Sequence, residues 1–148
     1  MIKLDIKVAK IIDVLDHPNA DKLYIEKLDV GGEEKQIVSG LKGNYEKDEL
    51  LGKKILLVNN LKPAKLRGEK SEGMLLAVSE GEKVGVLETD LEVGTQIYFE
   101  EKPYEEQITI TEFMGIKLEY DGELKANGIS CNYPKNIKAD KGLKGIVR

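Results

Sequence analysis

Tryptophan is absent, and the aromatic side chains of the 148 residues are six tyrosines and two phenylalanines. Proteins that hold single-stranded nucleic acid generally combine a charged groove with stacked rings, and eight scattered rings argue against such a platform. A single cysteine, Cys131, excludes an internal disulfide and fits a reducing compartment. One histidine, His17, with that one cysteine cannot build a zinc site. No apolar run reaches membrane-spanning length, so no membrane contact is expected. The N-terminal stretch Met1 to Lys7 alternates polar and apolar residues and lacks the apolar core of a signal peptide. The expected location is therefore the cytoplasm. No Walker loop, nucleophile elbow, metal cluster or synthetase signature occurs, so neither an active site nor a cofactor is expected. Internal repeats, low-complexity tracts and flexible linkers are also missing. Met1 stands at the head of the first strand pattern, and the chain is expected to be a complete small protein.

Charge is what the chain has in quantity. Asp, Glu, Lys and Arg make up 34% of it, with a formal net charge of -4. That balance argues against indiscriminate nucleic-acid binding, but the charges are unevenly laid out. Glu80 to Glu106 is mostly acidic, whereas Lys53 to Lys70 and Lys135 to Arg148 are mostly basic. Such asymmetry predicts one basic and one acidic face. The hydrophobic fraction of 41% and the length suffice for one domain with a real core, or one domain with a substantial appendage.

Ile2, Leu4, Ile6 and Val8 alternate with polar residues and predict a half-buried strand. From Ala9 to Leu15 the pattern changes phase at Ile11 and Ile12, which predicts a bulge or bend. His17-Pro-Asn-Ala-Asp-Lys22 is a turn by composition. A strand over Leu23 to Val30, a glycine hairpin at Gly31-Gly32 and a short strand over Gln36 to Ser39 follow. Glu46 to Leu51 reads as a short helix with Asn44 as its cap. Further strands are expected over Lys54 to Asn59, Met74 to Ser79, Val84 to Leu87 and Gln96 to Phe99. Pro103 marks a boundary between residues 1–102 and an appendage at 103–148. Within the appendage, Tyr104 to Phe113 fits either an extended piece or a helical turn, and glycines divide the rest into short segments that must pack on the main body.

Asn60-Leu-Lys-Pro-Ala-Lys-Leu-Arg-Gly-Glu-Lys-Ser-Glu-Gly-Met74 lies between two apolar strand patterns. Pro63, Gly68 and Gly73 make it a loop or bent strand edge. Lys62, Lys65 and Arg67 can neutralise phosphates, Arg67 with a two-pronged fork and the lysines as point charges. Asn60 and Ser71 can donate hydrogen bonds to sugar or phosphate oxygens. Met74 can offer an adaptable apolar contact or simply start its strand in the core. Loop cations often do no more than solvate the loop, and that reading stands beside the phosphate-facing one. Lys42, Lys53 and Lys54 are secondary candidates with the same two readings. Lys135, Lys138, Lys141 and Lys144, with Arg148, recur every three or four residues and form either a cationic ridge or solvated surface.

Four segments in order, Leu4–Val8, His17–Tyr24, Gln36–Leu41 and Asn60–Gly68 with Ser71–Met74, resemble the tRNA-binding domain of methionyl-tRNA synthetases. That domain is found at their C-terminus or as a separate beta subunit. It also occurs in free-standing tRNA-binding proteins and in the endothelial monocyte-activating polypeptide group. The resemblance implies a mainly β protein: a five-stranded oligonucleotide/oligosaccharide-binding (OB) barrel in Greek-key order, with a short helix and a packed C-terminal appendage. It implies a structural role for His17 and places the matching serine and methionine on the RNA side. Phe113–Leu118, Asn127–Cys131 and Gly142–Gly145 resemble the appendage of longer members, which mimics a dimer partner; a monomer of pseudo-dimeric shape follows. The implied function is non-catalytic binding of folded tRNA, as a subunit or cofactor of an aminoacyl-tRNA synthetase, with the methionyl catalytic chain as partner. Scarce rings and abundant cations favour recognition of folded RNA by backbone and shape. A rival reading is the export-chaperone (CsaA-like) branch, a dimer with a peptide groove, against which the appendage speaks. A secreted signalling role, as in some animal relatives, has no signal peptide to support it.

Overall fold

A computed structural model describes all residues, Met1 to Arg148. In chain order the elements are β1 (Ile6–Asp16), β2 (Tyr24–Asp29), β3 (Glu34–Ser39), α1 (Lys47–Leu50), β4 (Lys54–Val58), β5 (Ala64–Leu66), β6 (Glu69–Ser71), β7 (Met74–Leu75), β8 (Ala77–Glu80), β9 (Lys83–Thr89) and β10 (Gln96–Ile97). The remainder carries α2 (Ile110–Met114), β11 (Leu118–Tyr120), β12 (Leu124–Ala126), β13 (Ile129–Ser130), β14 (Ile137–Ala139) and β15 (Gly145–Val147). No helix is long and apolar enough to cross a membrane.

All strand pairs are antiparallel, and the main sheet runs β13-β12-β11-β15-β8-β9-β4-β1-β2-β3. The phase change in the first strand is a register shift between Ile11 and Asp13 against β2. It lets one long strand pair with β4 at its start and with β2 towards its end. The ladder begins at Ile6, later than the alternation suggests; Ile2 and Leu4 are buried all the same. From β3 the sheet turns back towards β7: Glu72 N–H donates to Gln36 O at 2.8 Å, and Val38 N–H donates to Ser71 Oγ at 3.0 Å. The result is an OB-like barrel filled by Ile11, Leu28, Ile37, Ile55, Leu57 and their neighbours.

β4 explains why its sequence, Lys-Ile-Leu-Leu-Val, lacks alternation. Ile55 and Leu57 point into the barrel, while Leu56 and Val58 point outward into a second apolar cluster. A strand buried on both faces reads as a continuous apolar run. The outer cluster joins Ile6, Val8, Leu76 and Val78 of the barrel to Phe113, Leu118, Leu124 and Val147 of the C-terminal segment. That segment also extends the sheet: β15 pairs with β8, and β14 with β9. Gly85 permits the second contact, because a Cβ there would lie 2.3 Å from Asp140 O.

Other local expectations change as well: the single strand expected over Met74 to Ser79 is broken at Leu76 into β7 and β8. The helix α1 starts at Glu46, whose N–H donates to Glu49 Oε1 at 2.8 Å, and not at Asn44. In Tyr104 to Phe113 the ambiguity resolves as an extended stretch followed by α2, with Thr109 Oγ1 accepting from Glu112 N–H at 3.1 Å as the cap.

Candidate nucleic-acid interface

The stretch expected to be a loop or bent edge is a hairpin. β5 and β6 pair as Ala64–Ser71, Lys65–Lys70 and Leu66–Glu69. Arg67 and Gly68 close them with φ of 53° and 89°, the two-positive-φ geometry that matches strand twist. Glycine holds such a φ without strain; arginine does not. Strand alternation then sorts the side chains: Ala64 and Leu66 take one face, Lys65 and Lys70 the other. Like charges directly opposite on one face destabilise a hairpin. Yet Lys62, Lys65, Arg67 and Lys70 are all exposed, and none of them belongs to an ion pair with this chain's acids. Lys70 is the cation that a loop reading undervalues. The dipeptide Arg67-Gly68, read as a two-residue turn, places it opposite Lys65.

The hairpin is held from below. His17 Nδ1 accepts from Asn19 N–H at 2.9 Å, so the ring proton sits on Nε2, which donates to Leu66 O at 2.8 Å. Asn19 Nδ2 donates to Arg67 O at 3.4 Å, and Gln36 Nε2 to Lys70 O at 2.9 Å. The His17 turn therefore buttresses the hairpin tip.

Two expected RNA donors are spent inside the protein. Asn60 is buried; its Oδ1 accepts from Asp5 N–H at 3.0 Å, and its Nδ2 donates to Glu106 O at 2.9 Å and Lys3 O at 3.3 Å. Ser71, also buried, accepts from Val38 N–H and donates to Gly73 O at 3.1 Å, closing the barrel seam. Both position the hairpin. Met74 is half-buried against the outer cluster.

Most secondary candidates are engaged. Lys42 lies 3.0 Å from Asp16, which Lys47 and then Lys42 hold below the ordinary carboxylate range. Lys53 lies 2.7 Å from Glu88 and 3.7 Å from Asp140. Lys54 Nζ donates to Leu91 O at 3.1 Å. Lys141 Nζ donates to Val84 O at 3.0 Å and sits 4.3 Å from the Tyr45 ring centroid. That places Lys141 in a junction between the C-terminal segment and the barrel. There the Tyr45 hydroxyl donates to Asp140 Oδ2 at 2.8 Å and accepts from Val86 N–H at 2.9 Å. Burial would raise the Asp140 carboxyl; the Tyr45 hydroxyl and Lys53 reverse this and hold it below its ordinary value. Of the expected ridge, Lys135, Lys138 and Lys144 are exposed and unpaired, while Lys141 interrupts it.

The start of the C-terminal segment docks beside the hairpin. Lys62 N–H donates to Ile108 O and Ile108 N–H to Asn60 O, each at 2.8 Å. Between hairpin and α2 lies an apolar cleft of about 390 Å³ that includes Leu66, Met74 and Ile110. No local signal announces Ile110 as part of it, because its partners are far away in sequence.

An OB-like barrel that presents a cationic hairpin without internal counter-ions has the form of a nucleic-acid binder. Residues 6–96 match the family model described as "Putative tRNA binding domain", and the chain belongs to that family. A methionine–tRNA ligase of Thermococcus onnurineus is 55% identical over 92 residues, covering 62% of this chain and 13% of that ligase. The chain thus spans a small part of the length of such relatives. The solved C-terminal domain of Plasmodium vivax p43 is similar over 99% of this chain and 97% of that one, with 28% identity and a TM-score of 0.79. A CsaA chaperone protein of Picrophilus torridus is similar over 65% of this chain and 92% of that one, at 35% identity and a TM-score of 0.61.

Proposed function

We propose that this chain is a non-catalytic, cytoplasmic tRNA-binding protein. It grips the sugar-phosphate exterior of folded tRNA and works as a subunit or cofactor of an aminoacyl-tRNA synthetase, the methionyl enzyme first. One observation carries the reading: Lys65 and Lys70 face each other without a counter-ion, flanked by unpaired Lys62 and Arg67. A phosphate backbone relieves that repulsion. The likeness of residues 6–96 to part of methionine–tRNA ligases supports the choice of RNA and partner. Tethering tRNA close to a catalytic chain raises its effective concentration there.

The C-terminal segment, in this reading, occupies the surface a second barrel would take. A monomer is the expected state in light scattering, and a dimer contradicts it. The second reading, a CsaA-like peptide-binding chaperone, draws on the similarity to the Picrophilus torridus protein and on the apolar cleft.

Binding of folded tRNA, unfolded RNA and a signal peptide over a salt series separates these readings. The tRNA reading expects preference for folded tRNA and a negative log–log salt slope. Replacing Lys62, Lys65 and Arg67 together with alanine removes three phosphate contacts and flattens that slope by roughly 2–3. Unchanged tRNA binding in a folded triple variant refutes the proposal, and preference for the peptide transfers it to the chaperone branch. Co-purification with a methionyl-tRNA synthetase catalytic chain tests the partner.

A further inference from the structure

The hairpin has two unlike faces, and phosphate binding uses only one. Its other face, Ala64 and Leu66, lines the cleft together with Ile110, Met74 and Pro63. Leu66 is 42% and Ile110 54% exposed. Single exposed apolar side chains carry no message, but these converge on one concavity from distant parts of the chain. Its volume of about 390 Å³ falls within the roughly 300–1,000 Å³ of clefts that bury small organic ligands. No acidic side chain lines it; the one charged residue is Lys62, exposed and unpaired. The occupant that fits is a flat ring with apolar faces and an anionic group attached on the side of Lys62.

We infer that the cleft takes one unstacked nucleobase of the RNA held on the hairpin, with an adjoining phosphate neutralised by Lys62. The inference rests on the tRNA-binding reading and adds a base contact to what is otherwise a backbone grip. A peptide matches the site only where an acidic residue stands beside the apolar one, whereas every nucleotide carries a ring and an anion together, so nucleotide chemistry is the better match. The division of labour follows the strand period: Lys65 and Lys70 on one face track phosphates, Ala64 and Leu66 on the other cover the base. Met74 brings a polarizable thioether, which packs well against rings, in a chain that has few aromatic residues of its own. The two hydroxyls in the cleft are committed, Ser71 to Gly73 O and Thr109 to Glu112. Neither is free to read base edges, so the contact tolerates any base.

Ala64→Phe fills the cleft and leaves every cation in place. Its expected effect is a loss of tRNA affinity of about tenfold with the salt slope flattened by no more than about 1, the contribution of the one phosphate that Lys62 holds beside the base. A direct readout avoids the variant altogether: methyl resonances of Met74 and Ile110 in the wild-type chain, titrated with cytidine 5′-monophosphate, inorganic phosphate, an acidic peptide and tRNA. Ring-current shifts with the nucleotide and with tRNA, but not with phosphate, support the inference. Persistence of the shift with tRNA trimmed of its unpaired 3′ nucleotides assigns the base to a loop, and its loss assigns it to the 3′ end; both support a base in the cleft. Methyls that stay unmoved while wild-type tRNA binding retains its salt slope overturn the base contact and leave the hairpin's function standing. Failure of the wild type to bind tRNA removes that function itself. Methyl shifts with the peptide and none with RNA hand the cleft to a protein partner and overturn the inference.

Discussion

Glu26 should make this protein less stable as the pH rises through neutrality. It sits on β2 with Tyr24 and Leu28 on the same inward face, fully buried. Its Oε1 accepts from the Ser39 hydroxyl at 2.6 Å, and its Oε2 has no partner. Burial pushes the carboxyl up from 4.5 to about 8, with the Ser39 hydroxyl opposing. The unfolded chain releases this proton near pH 4.5, whereas the native state keeps it until about pH 8. Between these values the native state binds the extra proton, so stability is full below pH 4.5 and falls as the pH rises towards 8. At about 1.4 kcal/mol for each pH unit, the loss by pH 8 is about 5 kcal/mol, a large share of the roughly 5–15 kcal/mol of a typical domain. Glu26→Gln keeps the shape and cannot ionise. It costs about 1–3 kcal/mol at pH 4.5 for amide donors left unpaired, and gains on the wild type as the pH rises. The two stability curves, from urea melts at pH 4.5, 6, 7 and 8, should cross. Parallel curves would show that Glu26 is not a buried neutral acid.

Three other outcomes follow from the hairpin and its surroundings. Arg67→Asn suits the positive φ better than arginine does, and should hold or raise stability by up to about 1 kcal/mol; it should also weaken tRNA binding and flatten the salt slope by about 1. A clear loss of stability in chemical denaturation would contradict the assigned turn. Ser71→Ala strands the buried Val38 N–H and should cost about 1–3 kcal/mol, measurable by thermal melting; a neutral effect would show that the barrel seam does not depend on this side chain. Truncation after Lys102 uncovers the outward apolar residues of β1, β4 and β8 and should give a self-associating species in light scattering, and a well-behaved monomer would argue against the cover role of residues 103–148.

Most strands up to Ile97 are legible in the sequence because a strand's period and its bounding turns are local properties; the β5–β6 hairpin and the break at Leu76 between β7 and β8 are not. Even the bulge near Ile12 announced itself as two adjacent apolar residues. The cations of the hairpin were legible too, as a basic cluster between apolar runs. Their sorting was not. Asn60 and Ser71 look like surface donors in a polar stretch, and only tertiary contacts with Asp5, Glu106 and Val38 show them to be buried. Lys42, Lys53 and Lys141 find partners far off in the chain, Asp16, Glu88 and Val84, which no spacing rule reports. Glu26 carries a faint signal, since it alternates in phase with Tyr24 and Leu28, but period alone does not say that a charged residue stays in register on the inward side.

The outward apolar face of β4 has a bearing on how the protein is made. A ribosome adding about 5–20 residues per second completes the barrel several seconds before the last strand, β15, emerges to lie against β8. During that interval Leu56 and Val58 face solvent or whatever holds the nascent chain. Slowing translation over residues 103–148 should therefore lower soluble yield, while the finished molecule shows no sign of the hazard.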